Sequence, residues 1–239
     1  MLLCYVTDRR LLGRELPSGA ASTHNLLKQI ERAATAGIDW VQIREKNLTA
    51  HELLELTRRA ITVISTAANS RPRPNAPMSV PTRVLVNDRI DVAIAAGAAG
   101  VHLGGGSVPV GEVGRWCRAG NAPPDFLVGA SCHGLDEIIE AKRAGANYIF
   151  FGPVYETPSK ISFGTPQGIE RLAEACRRVR MPILAIGGIN EENAGACLRA
   201  GAAGIAAIRL FQQPPNDAAL SRIVSRLRAG RLHKEPRRN

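Results

Sequence analysis

The sequence predicts an α/β chain closed into a single (β/α)8 TIM barrel, and three observations predict it. The phrase Ala-Gly-x-x-x-Val/Ile recurs four times, at Ala36–Val41, Ala96–Val101, Ala144–Ile149 and Ala200–Ile205. Each copy follows an amphipathic stretch and opens a short apolar run, and a glycine just past a helix suits a left-handed C-cap. The glycines, at 37, 97, 145 and 201, leave room for two β/α units per repeat. Secondly, four more apolar runs lie between the echoes: Leu2–Thr7, Arg83–Asn87, Phe126–Ser131 and Pro182–Ile186. Eight near-continuous apolar strands alternating with helices indicate a parallel sheet covered by helices. Thirdly, 239 residues match the ~250 typical of this barrel. An open doubly wound sheet fits less well, because Gly104-Gly105-Gly106 runs on into Ser107-Val108-Pro109 rather than a G-x-G-x-x-G spacing.

Two segments stand outside the repeat. Residues 67–82 hold four prolines and read as a loop inserted before the third strand, on the face away from catalysis. Residues 1–225 form the barrel domain, and residues 226–239 are the last helix end and a basic tail. Apolar residues make up 45% and aromatics 4%, enough to bury a full core and unlike a disordered chain. No apolar stretch approaches the ~18 residues of a membrane helix. Met1–Thr7 meets charge at Asp8-Arg9-Arg10, too short and without the basic leading region of a signal peptide. The five cysteines show no C-x-x-C spacing, so a disulfide framework is not expected and a cytoplasmic location is. The net charge of +10 suits nucleic acid, a membrane surface or an anionic substrate. So few aromatics and no recognition motif argue against nucleic acid.

Barrel enzymes carry their chemistry where strands end and βα loops begin. Side chains alternate faces along Trp40–Lys46; with Val41 and Ile43 toward the helices, Gln42, Arg44 and Lys46 point into the mouth. Arg44 there either pairs with a buried carboxylate or awaits an anion, and a lysine and a glutamine beside it favour the anion. Asp88, ending the third strand, either caps the next helix or holds magnesium, which takes one or two carboxylates plus phosphate oxygens. His102 and His133 end the fourth and fifth strands, but no third ligand has zinc spacing. Cys132 directly precedes His133, and catalytic Cys-His pairs are rarely sequence neighbours. Thr157, Ser159 and Lys160 follow the sixth strand on a turn-rich loop as phosphate donors. Gly187-Gly188 ends the seventh and exposes backbone N–H groups, and loops after strands seven and eight form the usual barrel phosphate site.

These motifs resemble the thiamine-phosphate synthase family, which includes thiazole tautomerase-like relatives. The carriers are Tyr5-Val6-Thr7-Asp8, Val41–Lys46, Asn87-Asp88-Arg89, Gly100–Gly104, Gly152–Lys160 and Ala185–Ile189. The resemblance spans residues 2–212. It implies a transferase that joins hydroxymethylpyrimidine diphosphate to hydroxyethylthiazole phosphate, releasing pyrophosphate and forming thiamine phosphate. Gln42, Arg44, Lys46, Asn87, Ser131 and Lys160 would hold the diphosphate, with Asp88 on Mg2+. Thr157, Ser159 and the Gly188 backbone would hold the thiazole phosphate, with Ile208 and Arg209 at the end of the eighth strand. Arg44, Lys46, Ser131 and Lys160 are the expected catalytic groups.

Three positions depart from the family pattern. The loop Gly105-Gly106-Ser107 lacks the aspartate that completes the metal site, leaving Ser107 as a weak substitute; Arg209 replaces a phosphate-binding serine; Ser159 replaces a threonine. The first keeps a tautomerase-like enzyme in view, with His133 as its acid–base group. A non-catalytic binder of phosphate ligands or nucleic acid is the third reading. The partners expected are small phosphorylated pyrimidines and thiazoles, with no nucleic acid and no membrane; a homodimer is left open.

Overall fold

A computed structural model describes residues 1–12, 19–70, 81–157 and 165–230. Its strands are β1 (Leu2–Val6), β2 (Trp40–Ile43), β3 (Arg83–Asn87), β4 (Gly100–Leu103), β5 (Leu127–Cys132), β6 (Tyr148–Phe151), β7 (Ile183–Ile186) and β8 (Gly204–Ala207). They pair in parallel in chain order, and β8 pairs back on β1 through Leu2–Gly204 and Tyr5–Ala207 to close the barrel. The helices are α1 (Gly19–Ala36), α2 (Ala50–Ser70), α3 (Ile90–Ala96), α4 (Val110–Trp116), α5 (Leu135–Ala144), α6 (Gly168–Arg178), α7 (Ala194–Arg199), α8 (Arg209–Gln212) and α9 (Asp217–Arg228). No described helix is long and apolar enough to cross a membrane.

The fourfold phrase is a fourfold joint. Gly37, Gly97, Gly145 and Gly201 all have positive φ, between 71° and 103°. At each, the glycine N–H reaches back three residues and the next N–H five, as in Ala98 N–H to the Ala93 carbonyl at 2.9 Å. That pattern is the Schellman cap, which satisfies the last carbonyls of the helix and turns the chain into the next strand.

Strand alternation separates two cores. Val41, Ile43, Val84 and Val86 face outward and pack with the helices. Cys4, Val6, Trp40, Leu85, Tyr148, Phe150, Leu184 and Ala206 fill the barrel. Trp40 and Tyr148 form its floor, with ring centroids 4.8 Å apart. Gly129 of β5 makes room for that ring: a Cβ there would lie 2.0 Å from Tyr148 Cζ. Layered filling of this kind makes a (β/α)8 interior a packed core with its open end at the strand C-termini.

The segment read as a loop over 67–82 begins instead as helix, because α2 continues to Ser70; the low helix propensity of Asn69 and Ser70 does not stop it, and the first proline stands only at 72. Residues 71–80 of that insertion, and tail residues 231–239, lie outside the described residues. Where the C-terminal segment begins, Arg228 ties α9 to the base of the barrel, donating to the Gly37 carbonyl at 2.6 Å and Asp39 Oδ1 at 2.9 Å. Part of the C-terminal positive charge is therefore structural.

Candidate active site

The C-terminal strand ends open into a cleft of about 1540 Å3 that contains most of the residues singled out in the sequence. Gln42, Arg44, Lys46, Asn87, Asp88, Ser131 and His133 line one part of it, and Thr157, Gly188, Ile208 and Arg209 line another. Ser159 and Lys160 lie outside the described residues.

The cations stand ready for an anion. Among the described residues, Arg44, Lys46 and Arg209 form no ion pair. Arg44 and Lys46 follow the last residue of β2, so they sit on the rim above buried Gln42. Arg44 is fixed from beneath: its N–H donates to Thr7 Oγ1 at 3.0 Å, and that hydroxyl donates to Glu45 Oε1 at 2.6 Å. Glu45 points away from the cleft, is 5% exposed, and also accepts from the Arg9 N–H at 3.1 Å. Burial raises its carboxyl above the usual range, and the Thr7 and Arg9 hydrogen bonds only partly oppose this. Alternation along the strand thus gives Arg44 to the ligand and Glu45 to the frame.

A second frame element joins the chain ends. The Tyr5 hydroxyl donates to Gln212 Oε1 at 2.7 Å, and Gln212 Nε2 donates to the Asp8 carbonyl at 2.7 Å. This clamps the loop after β1 to α8, and that loop places Asp8 and Arg10 on the cleft wall as an ion pair at 2.9 Å. Burial alone would raise the Asp8 carboxyl, but hydrogen bonds and charge from Arg10, with Arg44 beyond, hold it below the ordinary value.

Asp88 is not a helix cap. The N-cap position of α3 is Arg89, with no side-chain capping bond, and Asp88 itself adopts φ +62°. That conformation is strained for a non-glycine residue, and it turns the carboxylate into the cleft. Asn87 Nδ2 donates to Asp88 Oδ2 at 2.6 Å, and Gln42 Nε2 donates to Asn87 Oδ1 at 3.2 Å. The Gly104 N–H donates to Asp88 Oδ1 at 3.2 Å, and the Ser107 hydroxyl donates to the same oxygen. Ser107 therefore sits beside the one candidate metal carboxylate. No group of three or more His, Cys, Asp or Glu that could hold a metal occurs among the described residues.

The two histidines do not form a zinc pair. His102 is buried under Ser131, its Nε2 2.9 Å from Ser131 Oγ, whereas the His133 Nδ1 rests on the Gly152 carbonyl. Cys132 is buried, which pushes its thiol up to about 12, so it is no nucleophile.

Gly187 and Gly188, directly after β7, adopt φ +95° and +66°. They lie directly against the loop after β6: a Cβ on Gly188 would come within 2.4 Å of the Glu156 carbonyl oxygen. The Tyr155 N–H donates to the Gly187 carbonyl at 3.1 Å, locking the two loops together. Phe150 and Ala206 of the barrel interior, with Ile186 and Ile208 packed against it, give the cleft apolar lining.

Asp8, Arg10, Glu45 and Gln212 were given no site role from the sequence, although Asp8 and Glu45 lie within motifs that carry the family resemblance. Asp8-Arg9-Arg10 stands directly after the first strand and is found by scanning every strand end alike. Gln212 stands beside Gln213 after Leu210-Phe211, and no local signal tells which of the two glutamines is buried.

A closed (β/α)8 barrel with unpaired cations and a glycine turn at its open end defines a phosphate-handling enzyme. The family model described as thiamine monophosphate synthase matches residues 16–211. A thiamine-phosphate synthase of Methanoculleus marisnigri is 39% identical over 206 residues, covering 86% of this chain and 85% of that protein. A second, of a Roseiflexus species, is 33% identical over 236 residues, covering 99% and 89%. The solved thiamine phosphate pyrophosphorylase from Pyrococcus furiosus superposes with a TM-score of 0.70 at 27% identity, covering 95% of this chain and 96% of that one. The chain belongs to the thiamine monophosphate synthase family, transferases of thiamine biosynthesis.

Proposed function

We infer that the cleft couples hydroxymethylpyrimidine diphosphate to hydroxyethylthiazole phosphate, giving thiamine phosphate and pyrophosphate. What supports this reading is that the cleft is lined by polar residues following β2, β3 and β5 and by others following β6, β7 and β8, which come from different arcs of the closed barrel. The diphosphate belongs at the end with Arg44, Lys46, Asn87 and Ser131, to which Lys160 would add a further cation. The monophosphate belongs with Gly188, Ile208 and Arg209, joined by Thr157. The two rings then meet on Phe150, Ile186 and Ala206.

Departure of the diphosphate leaves a benzylic-like cation on the pyrimidine carbon, and the thiazole nitrogen attacks it. Such a step needs stabilisation of charge on the leaving group and alignment of the nitrogen more than a strong base. Arg44, whose backbone N–H is held by Thr7, and Ser131 would supply donors where that charge develops. The apolar lining excludes water, which would otherwise capture the cation.

Magnesium fits this donor set as a cation held by one carboxylate and completed by diphosphate oxygens and water. Asp88 would hold it, oriented by Asn87, with Ser107 beside it. When bound, it would neutralise charge on the departing diphosphate. A thiazole tautomerase would need neither the cations nor Asp88, and the relatives named above are synthases. The direct test is to incubate the protein with both substrates, with and without Mg2+. Thiamine phosphate should form only with both; its absence at every Mg2+ concentration overturns the reading.

A further inference from the structure

A buried relay lies under the diphosphate end of the cleft. His102 is 2% exposed and stacks on Phe150 with ring centroids 4.2 Å apart. Its Nδ1 lies 3.2 Å from the Tyr148 hydroxyl, and its Nε2 lies 2.9 Å from Ser131 Oγ. A neutral imidazole has one donor nitrogen and one acceptor nitrogen, so the two contacts determine one another.

Tyr148 decides between them. Its side chain is fully buried in the barrel, and burial holds its phenol well above the ordinary value, so it keeps its proton. Among the described residues, His102 Nδ1 is the hydrogen-bond partner of that hydroxyl. A buried O–H with no acceptor is costly, so Tyr148 donates to Nδ1. The remaining hydrogen then sits on Nε2 and is donated to Ser131 Oγ. An imidazole protonated on Nδ1 would strand the Tyr148 hydrogen, and an imidazolium would do so while also burying a charge. With its oxygen occupied as an acceptor, Ser131 has its own O–H left for the cleft that it lines.

We propose that Tyr148 and His102 are positioning residues that set the Ser131 hydroxyl as a hydrogen-bond donor to the diphosphate of the pyrimidine substrate. The ligand named here rests on the reading of the preceding subsection; the relay itself rests on the geometry alone. An unconstrained hydroxyl would turn a lone pair as readily as a hydrogen toward the anion. Fixing the donor in advance removes that cost and directs a charge-assisted hydrogen bond to the leaving group.

Two measurements test the proposal. Nitrogen-15 NMR of histidine-labelled protein, with His102 assigned by loss of its signals in His102→Asn, reads the tautomer in the intact chain. The hydrogen is expected on Nε2; a hydrogen on Nδ1, or on both nitrogens, overturns the relay. Inorganic pyrophosphate with Mg2+ is then titrated by calorimetry into the unaltered protein, Tyr148→Phe, Ser131→Ala and the double variant. Tyr148→Phe keeps the ring on Trp40 and removes only the hydroxyl. Each single variant should weaken binding roughly three- to tenfold, the size of one hydrogen bond. The double variant should be no weaker than Ser131→Ala, and affinity for thiazole phosphate should be unchanged in all four. Additive losses in the double variant, or equal losses for thiazole phosphate, overturn the proposal. If Tyr148→Phe does not fold, the tautomer and the Ser131→Ala titration still decide. No binding of pyrophosphate by the unaltered protein overturns the diphosphate assignment, whereas a wrong tautomer overturns the relay alone.

Discussion

The Ser107 hydroxyl donates to Asp88 Oδ1, and the Gly104 N–H reaches the same oxygen at 3.2 Å. A serine thus occupies the place beside Asp88 where a second carboxylate would complete a metal site. On the function proposed above, a cation held at Asp88 would depend on the substrate for most of its ligands.

Ser107→Asp should supply the missing charge and lower the Mg2+ concentration for half-maximal rate, by roughly tenfold, since affinity follows the number of charged ligands. Without Mg2+ the same variant should melt at a lower temperature, because two adjacent carboxylates repel, and Mg2+ should restore it. An unchanged Mg2+ requirement places Ser107 away from the ion.

Arg44→Ala should lower kcat/KM for the pyrimidine diphosphate by about 10²- to 10³-fold, the usual effect of losing one fixed donor to transition-state charge. The KM for the thiazole phosphate should change little. Steady-state kinetics with each substrate varied in turn checks this, and equal effects on both substrates would contradict it.

Gly188→Ala should destabilise the protein by ~1–3 kcal/mol. The residue sits at φ +66°, and a Cβ would press on the Glu156 carbonyl and on Tyr155. Urea unfolding measures the loss, and calorimetry should show weakened thiazole phosphate binding with pyrophosphate binding retained.

Glu45 carries a pH signature. Burial raises its carboxyl in the folded protein, so the unfolded chain releases that proton first. Its contribution is full below the ordinary carboxyl range and declines as the pH rises through the raised folded value. Glu45→Gln removes this decline while keeping an acceptor for Thr7 and Arg9. Relative to the unaltered protein, the variant should gain stability in urea unfolding as the pH rises above the ordinary carboxyl range. A difference independent of pH would mean that Glu45 is not raised.

What was legible in the sequence was what repeats or alternates locally. Gly37, Gly97, Gly145 and Gly201 announce four helix caps because only the backbone decides them. Gln42 and Arg44 could be aimed into the mouth because strand side chains alternate. The frame was hidden because its contacts join distant segments. Tyr5 meets Gln212 across 207 positions of chain, and Thr7 meets Glu45 across 38. The strained backbone of Asp88 decides against a capping role, yet no residue type announces φ +62° at an aspartate. His102 was left without a role, since nothing in its own strand shows that Tyr148 and Ser131 meet its ring nitrogens.

The central claim is that one cleft holds a diphosphate and a monophosphate at separate ends. The measurement that tests it most directly is a calorimetric titration of pyrophosphate, with Mg2+, into protein saturated with hydroxyethylthiazole phosphate. Separate ends predict a pyrophosphate affinity equal to that of the free protein or tighter. Mutual exclusion of the two ligands would contradict it.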